Sequence, residues 1–257
     1  MNKTDMNENN LYIFGIRAVI EAIQAGKQID KILIKKDLSG ELAGELLGML
    51  KDSRIPVQRV PIEKLNRITR KNHQGVIAVM AAVAYENLGN LIPKLFEEGL
   101  NPLFVVLDGV TDVRNFGAIA RTCECAGVDA IVIPERGSVS VNADAVKTSA
   151  GALHILPVCR ERNIVSALRF MKSCGIKVVG ASEKSELNYT RSELTGPVAI
   201  VLGSEDVGLS KEVLGMCDEL LAIPQFGQIN SLNVSVAGAI MIYEVVRQRI
   251  NDNQTID

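Results

Sequence analysis

Polar side chains that a protein core does not need follow three predicted strands after residue 100. LFVVLD (Leu103–Asp108) is followed by an amide and a guanidinium, VAIVLG (Val198–Gly203) by a carboxylate, and ELLAIP (Glu219–Pro224) by a hydroxyl and an amide. These groups hydrogen-bond hydroxyl and phosphate groups. Because ligands of parallel α/β sheets bind beyond the carboxyl ends of the strands, we expect one shared site. Its candidate residues are Asn115, Arg121, Glu205, Ser231 and Asn233.

The first of these segments allows two interpretations. Asn115 can cap a helix predicted over GAIARTCECAG (residues 117–127), which would place Arg121 near the helix start. A cation there opposes the helix dipole and needs an anionic partner. That partner is either Asp108 or Asp112 of the chain itself, or a phosphate or carboxylate of a ligand.

The second segment, VLGSEDVGLSK, resembles a phosphate-binding loop only at first sight. Gly203 and Gly208 have the required spacing, but Leu209 and Ser210 stand where Lys and Ser or Thr should follow. Glu205 also lies where a phosphate would be held. The loop therefore makes a candidate acid available and does not bind a phosphate.

In the third segment, a bent loop leads into the last helix. Pro224 and Gly227 predict the bend, Ser231 is the expected N-cap, and Asn233 is expected in the first turn. The helix is predicted from about Ser231 to Ile250. This segment has more hydroxyl and amide groups than the capping of one helix requires, so some of them are available to a ligand.

Several common sites are excluded by spacing. No G-x-G-x-x-G follows a strand, so a Rossmann dinucleotide site is not expected. The five cysteines form no C-x-x-C, and His73 and His154 stand alone, so no metal site is expected. Neither histidine lies near the three loops, which argues against a Ser/His/Asp set.

Alternating helical and strand patterns predict an α/β fold with a parallel sheet covered on both faces. The apolar run at residues 75–85 predicts a buried strand, and the Gly- and Pro-containing stretch after it predicts a linker with a short helix. The expected division is a disordered tail at 1–10, a small domain at 11–86, a linker at 87–101, a larger domain at 102–251 and a tail at 252–257.

The charge distribution points to an anionic partner more clearly than the net charge does. The whole chain carries a formal charge of −2, yet residues 27–71 contain 11 Lys and Arg against six Asp and Glu. Such a segment can contact phosphates, although a solvated lysine-rich surface would look the same. The chain lacks an apolar run of about 20 residues and a signal-like start, so a cytoplasmic protein without membrane contact is expected.

Together, the three segments resemble the SpoU family of RNA ribose 2′-O-methyltransferases, within the SPOUT superfamily. The first motif is Asn-x-Gly-x-Ile-x-Arg from Asn115 to Arg121, and the second is Gly-x-Glu-x-x-Gly-Leu from Gly203 to Leu209. The third joins Ile223, Pro224 and Gly227 to Ser-Leu-Asn-Val-Ser at residues 231–235. FGIRAVIEAI and NHQGVIA near the N-terminus are similar to the small substrate-binding domain of the family, so the resemblance covers nearly the whole chain.

The resemblance implies a trefoil-knotted, parallel-sheet methyltransferase domain preceded by a small L30e-like α/β domain. It also implies S-adenosylmethionine as cofactor, a homodimer, and methylation of a guanosine ribose in 23S ribosomal RNA. Small residues in the last helix, among them Gly238, would suit the dimer interface. The implied catalytic residues are the five candidates named above. The implied cofactor-binding residues are Gly203, Ile223, Leu232, Gly227 and Ala181. The RNA-binding residues expected in the small domain are Arg67, Arg70, Lys71, Asn72, His73 and Gln74.

Two positions depart from the family pattern, Val113 in place of Pro and Gln225 in place of Met. Neither removes a reacting group. Two alternatives stay open: the same chemistry on transfer RNA, and an RNA-binding protein that has lost catalysis.

Overall fold

The computed structural model describes residues 11–53, 55–229 and 231–254. The chain forms two compact units. The first comprises the described residues up to Ala84 together with Val141–Ala143, and the second comprises the rest. The tail expected at 1–10 lies outside the described residues. In the tail expected at 252–257, residues 252–254 continue the last helix, and residues 255–257 lie outside the described part.

The first unit is a four-stranded sheet with helices. Its strand order is β1-β4-β2-β3, with β2 and β3 parallel and the other pairs antiparallel. Apolar residues at helical spacing on α1, including Val19 and Ile20, pack with Ile32 and Leu46 in one core cluster. The elements are β1 (Tyr12–Phe14), α1 (Ile16–Gln24), β2 (Ile29–Lys35), α2 (Glu41–Asp52), β3 (Val57–Val60), α3 (Ile62–Ile68) and β4 (Val76–Met80).

The second unit contains a seven-stranded sheet in which every pairing is parallel, in the order β11-β9-β10-β6-β7-β8-β5. The predicted α/β fold with a parallel sheet is thereby confirmed. The strands are β5 (Tyr85–Glu86), β6 (Leu103–Asp108), β7 (Ala130–Pro134), β8 (Val158–Glu161), β9 (Lys177–Ala181), β10 (Val198–Gly203) and β11 (Glu219–Leu221). The helices are α4 (Leu88–Glu97), α5 (Val113–Cys125), α6 (Ala143–Thr148), α7 (Ile164–Ser173), α8 (Lys211–Leu214) and α9 (Val234–Gln254), with 3₁₀ turns at Ala152–His154 and Tyr189–Arg191.

The central strands are apolar along their whole length because both faces of the sheet are covered. Every residue from Leu103 to Leu107 in β6 is at most 1 % exposed, and so is every residue from Val198 to Leu202 in β10. Their register pairs Gly203 with Asp108. The loops that follow these two strands therefore leave the same edge of the sheet side by side.

Two sequence expectations change in the structure. The apolar run at 75–85 is not one strand, because β4 ends at Met80 and Tyr85 begins a short strand that pairs with β8 in the other sheet. The segment expected to be a linker contains the short helix that was predicted there, α4, but Leu88, Ile92 and Leu95 of this helix belong to the core of the second unit. The domain boundaries themselves stay a prediction.

Candidate active site

Three of the predicted catalytic side chains meet in one hydrogen-bonded triad beyond the sheet edge. Asn115 Nδ2 donates to Glu205 Oε1 at 2.8 Å, and Asn233 Nδ2 donates to the same oxygen at 2.7 Å. Asn233 Nδ2 also lies 3.0 Å from Asn115 Oδ1, which accepts from it. One carboxylate oxygen is thus held by two amides from segments that are distant in sequence. Asn115, Glu205 and Asn233 are called the polar triad below.

Asn115 is positioned by the first turn of α5. The helix begins at Val113, and Asp112 is its N-cap: Asp112 Oδ1 accepts from the backbone N–H groups of Arg114 at 2.7 Å and Asn115 at 3.0 Å. These N–H groups, that of Asn115 foremost, hold the pKa of Asp112 below its usual value. The prediction that Asn115 caps the helix is therefore wrong, and its side chain is free to reach Glu205.

Glu205 lies in a loop that closes on itself. Ser204 N donates to Gly208 O at 3.1 Å, and Gly208 N donates to Ser204 O at 2.9 Å. Asp108 at the end of β6 accepts from Ser210 N at 2.7 Å, which ties the loop to the neighbouring strand. Because Ser204 and Gly208 use their N–H groups on each other, these two groups cannot bind a phosphate as a P-loop does.

Asn233 is held by the helix it starts. Its Oδ1 accepts from Ser235 N at 2.9 Å, just before α9 begins at Val234. The N-cap of α9 is therefore Asn233. The sequence had predicted Ser231 as the N-cap, and that prediction is wrong. The oxygen of this one amide caps the helix while its nitrogen binds the other two triad members.

A cavity of about 480 Å³ lies beside the triad. Glu205 is part of its wall, and so are Gly203, Ser231 and Leu232. A smaller adjoining cavity of about 70 Å³ shares Ala181, Ser231 and Leu232 and adds Ile223. The larger volume falls within the range of about 300–1,000 Å³ typical of small-molecule sites.

Gly203 is required where two backbone segments cross. A Cβ at this position would lie 2.2 Å from Gly208 C and 2.4 Å from Leu209 N. Gly227 differs, because nothing lies within 4 Å of the place its Cβ would take, and the residue does not line either cavity. Of the five predicted cofactor residues, four line the cavities and Gly227 does not.

Arg121 is not part of the triad. It is exposed, and its side chain makes no hydrogen bond or ion pair with any other residue that the structure describes. It lies in the ninth position of α5, past the middle of the helix, so the argument that it opposes the helix dipole was wrong. Of the two interpretations that the sequence allowed for Arg121, the ion pair with Asp108 or Asp112 is not formed.

The residues expected to contact RNA lie on the first unit and divide into two groups. Arg67, Arg70, Lys71 and Asn72 are exposed. His73 is only 7 % exposed, its Nε2 lies 2.9 Å from Asn66 Oδ1, and its Nδ1 accepts from Gly75 N at 3.0 Å. A direct RNA contact by the His73 ring does not fit this placement. Gln74 is exposed, but its Oε1 accepts from Ile16 N at 3.2 Å, so that oxygen is also used within the fold.

Sequence reasoning missed Glu183 and the roles of Asp108 and Asp112. Glu183 lines both cavities, two residues after β9 ends. Glu183 could have been found from the sequence, because an acid at or just beyond the carboxyl end of a parallel strand is a candidate ligand-binding residue. The same pattern applies to Asp108. Asp112 stands three residues before Asn115. This is the spacing between an N-cap side chain and a backbone N–H group that it binds, so the sequence could have indicated Asp112 as the N-cap.

Two further properties of the described residues bear on the chemistry. They include no group of three or more His, Cys, Asp or Glu side chains able to hold a metal ion. Among the described helices, none combines the length and apolar character needed to cross a bilayer.

Comparison with known families assigns both parts of the chain. Residues 102–243 match the model of the SpoU rRNA Methylase family. Residues 12–86 match a model described as RNA 2′-O ribose methyltransferase substrate binding.

Individual relatives agree with these matches. A Staphylococcus aureus protein that carries the name TrmH family tRNA/rRNA methyltransferase is 39 % identical over 238 residues, which are 92 % of this chain and 96 % of the relative. The AdoMet-bound rRNA methyltransferase of Sinorhizobium meliloti has a TM-score of 0.59 at 25 % identity, covering 96 % of this chain and 90 % of that one. The TrmH/SpoU tRNA modifying enzyme of A. aeolicus has a TM-score of 0.56 at 30 % identity, covering 65 % of this chain and 86 % of that one.

Proposed function

Because the chain belongs to the SpoU rRNA methylase family, we propose that it methylates a ribose 2′-hydroxyl in 23S ribosomal RNA, most simply that of a guanosine, using S-adenosylmethionine. The observation that carries the proposal is the polar triad, which joins the three sequence motifs of the family at the wall of one cavity. Membership itself makes the protein an RNA 2′-O-methyltransferase of the SpoU/TrmH family that uses S-adenosylmethionine.

The cavity residues fit this cofactor. Leu202, Leu232 and Val234 offer an apolar wall for a purine. The charged residues of the wall are Glu183, Glu205, Asp206 and Lys184, so acids outnumber the one lysine and favour a cationic ligand. When bound, S-adenosylmethionine supplies a methyl group on a positively charged sulfur. A P-loop lysine would repel that sulfur, whereas an acidic loop attracts it.

In the proposed reaction, the protein aligns the hydroxyl and helps to remove its proton. Glu205 Oε1 is held by two amides, whereas its second oxygen makes no hydrogen bond with another described residue and is free to accept from the ribose. Ser231 completes the polar floor from the cavity wall. Alignment alone can be worth roughly 7–11 kcal/mol.

Arg121 is proposed to bind the phosphate next to the target ribose. A guanidinium is a poor base because it keeps its proton at every physiological pH. Its part is therefore to hold the phosphate so that arginine and phosphate together orient and polarise the hydroxyl, while the free oxygen of Glu205 can take up the proton. Its exposure and lack of a partner among the described residues leave it available to an external anion.

Replacing this side chain tests the assignment. We expect Arg121→Ala to slow methyl transfer by about 100-fold or more, the usual effect of losing one charge-stabilising group. Arg169→Ala, an exposed arginine on α7, is the matched control and should transfer methyl groups at the wild-type rate. A near-normal rate for Arg121→Ala would remove it from the mechanism.

The substrate is tested by separate assays with ribosomal and transfer RNA pools and labelled S-adenosylmethionine. Ribosomal RNA is favoured because the S. meliloti rRNA enzyme covers 96 % of this chain, whereas the A. aeolicus tRNA enzyme covers 65 %. Label in transfer RNA alone would reverse the choice. Label in neither pool would favour a non-catalytic RNA-binding protein.

The proposal also includes a homodimer and a cytoplasmic location. Val236, Tyr243 and Ile250 of α9 are each about half exposed, at 47 %, 49 % and 51 %, and they are spaced seven residues apart on one helix face. Such an apolar stripe suits a second copy. Gly238 does not belong to it, because its Cβ position lies 2.7 Å from Leu202 Cδ1 inside the unit. The trefoil knot also stays a prediction, because strand order does not define how the chain threads.

A further inference from the structure

Two aromatic rings lie side by side on the edge strand of the first unit. Tyr12 and Phe14 of β1 are two residues apart and therefore share one face of the sheet. Their ring centroids are 6.1 Å apart and their planes differ by 22°. Lys71 Nζ lies 5.6 Å from the Phe14 centroid. We call Tyr12, Phe14 and Lys71 the aromatic shelf.

The shelf has a fixed base. Both rings pack against a core cluster that includes Leu33, Leu65 and Ile77, while each ring stays partly exposed. One part of each ring therefore contacts the protein and another part is accessible. Covering a small core needs only apolar side chains, so the core alone does not explain why both positions are aromatic.

The loop that delivers Lys71 is held at both ends. Lys71 N donates to Thr69 Oγ1 at 3.1 Å, and the buried His73 ring is engaged at both nitrogens. Gln74 has a φ of 51°, which is unusual for a residue other than glycine, and its side chain accepts from Ile16 N. Backbone held in a sparsely populated conformation is found most often at functional sites. Here it keeps Arg70, Lys71 and Asn72 exposed at the loop tip.

The chain segment that carries Lys71 is basic and lies between Glu63 and Glu86. Residues 64–85 contain Lys64, Arg67, Arg70 and Lys71 but no Asp or Glu. Cations interleaved with accessible aromatic rings are the features by which proteins hold single-stranded nucleic acid. Duplex RNA is recognised instead through its phosphates and 2′-hydroxyl groups.

We propose that Tyr12 and Phe14 stack on unpaired bases of the RNA substrate while Lys71 and Arg70 bind the adjoining phosphates. The inference rests on the proposed function for RNA as the substrate, and it adds that the first unit selects single-stranded RNA. Lys71 covers the Phe14 ring in the free protein at a distance near the limit of about 6 Å for a cation–π contact. On binding, its ammonium moves to a phosphate and a base takes the ring face.

Binding of two RNA probes separates stacking from simple charge attraction. The probes are a labelled mixed-sequence single strand of about 12 nucleotides and the same strand annealed to its complement, since stacking tolerates any base. Fluorescence anisotropy is measured for the full chain and for Phe14→Leu and Tyr12→Leu, which keep the apolar cover of the core. Phe170→Leu, a partly exposed ring on α7, is the matched control.

We expect each shelf variant to weaken binding of the single strand by about 5- to 100-fold, the loss of one stacked base. Binding of the duplex should stay within about twofold on the same scale. Phe170→Leu should change neither. Three outcomes would each overturn the inference. The shelf variants could weaken binding of both probes equally, or they could keep their melting temperature and bind the single strand as well as the wild type does. The wild-type protein could also fail to bind the single strand.

A second variant keeps the inference testable if the leucine substitutions unfold the unit. Lys71→Gln should lower the slope of log affinity against log salt by about 0.7 for the single strand, the value for one phosphate contact. An unchanged slope would contradict the assignment of Lys71. A parallel methyl-transfer assay on ribosomal RNA reports on the proposed function separately, because the anisotropy measurement does not depend on catalysis.

Discussion

At the scale of single residues, the candidate site depends on one amide that serves two purposes. Asn233 caps α9 with its oxygen and binds Glu205 and Asn115 with its nitrogen. Any substitution at this position therefore disturbs both the helix start and the carboxylate. Asn115 and Glu205 carry no such structural duty, which makes them the better pair for dissecting the triad.

The polar triad should behave as one unit in kinetics. We expect Asn115→Ala and Glu205→Ala each to slow methyl transfer by about 100-fold, and the double variant to be about as slow as the worse single one. The reason is that either change removes the hydrogen bond between Asn115 and Glu205, so the second change has no further bond of this kind to remove. A double-mutant cycle on kcat/KM measures this coupling, and Asn115→Ala combined with Glu212→Ala on α8 is the additive control. Fully additive losses in the first cycle would mean that the two side chains act independently.

The five free cysteines should differ sharply in reactivity. Burial raises the pKa of Cys123 above its usual value and that of Cys159 to about 12, so neither forms a thiolate near neutral pH. Cys125 is exposed only two residues after Cys123 on the same helix. Alkylation of the native protein followed by peptide mapping should label Cys125 first, with Cys123 and Cys159 labelled only after denaturation. Early labelling of Cys123 would show that α5 opens readily.

At the scale of elements, the sequence predicted what depends on local pattern and missed what depends on neighbours. Buried strands such as β6 and β10 were evident from continuous apolar runs. The strand at Tyr85–Glu86 was not, because it is defined only by pairing with β8. The N-caps of α5 and α9 were predicted at the wrong residues for a similar reason. Each helix has two candidate N-caps whose side chains suit the position: Asp112 and Asn115 for α5, and Ser231 and Asn233 for α9. Which of the two residues caps the helix depends on where the helix packs.

The backbone of β10 crosses the loop that follows it at Gly203, so we expect substitution of Gly203 to be far more damaging than substitution of Gly227. Gly203→Ala would force a Cβ to within 2.4 Å of Gly208 O, and neither backbone can move without breaking the Ser204–Gly208 pair. We expect a loss of stability of about 1–3 kcal/mol or more and a large loss of S-adenosylmethionine affinity. Gly227→Ala has open space and should preserve both properties. Thermal melting and calorimetric titration measure the two effects, and equal behaviour of the two variants would contradict this role of Gly203.

At the scale of the whole molecule, a buried acid links α9 to the segment before β10. Glu244 is 6 % exposed and accepts from Arg247 at 2.7 Å and from Gln248 at 2.8 Å. Gln248 in turn accepts from Leu194 N at 2.8 Å and donates to Ser192 O at 2.9 Å. The hydrogen bond from Arg247, above all, lowers the pKa of Glu244 from its usual value.

This shift predicts how stability depends on pH. Because the pKa is lower in the folded state, the ionised Glu244 stabilises the protein above the unfolded value of 4.5, and the benefit is lost as pH falls through the folded pKa. Glu244→Gln should therefore lower the free energy of unfolding by about 1–3 kcal/mol at neutral pH, with a difference that shrinks in acid. Denaturant unfolding at several pH values measures this difference. A difference that is constant with pH would show that packing, and not charge, explains the effect.

Assembly belongs to the same scale, because the apolar stripe of Val236, Tyr243 and Ile250 runs along a helix of 21 residues, about 30 Å long. Two copies related by a twofold axis can cover such stripes with each other. A lysine at the centre of the stripe would bury an unpaired charge in the proposed interface, so we expect the wild type to be a dimer and Tyr243→Lys to be a monomer. Light scattering after size exclusion compares each with the chain mass of 27.8 kDa. Ile155→Lys, at a side chain that is 73 % exposed but outside the stripe, should stay dimeric. If Tyr243→Lys kept the dimer mass, the dimer would have to use another surface, and the stripe would need a different explanation.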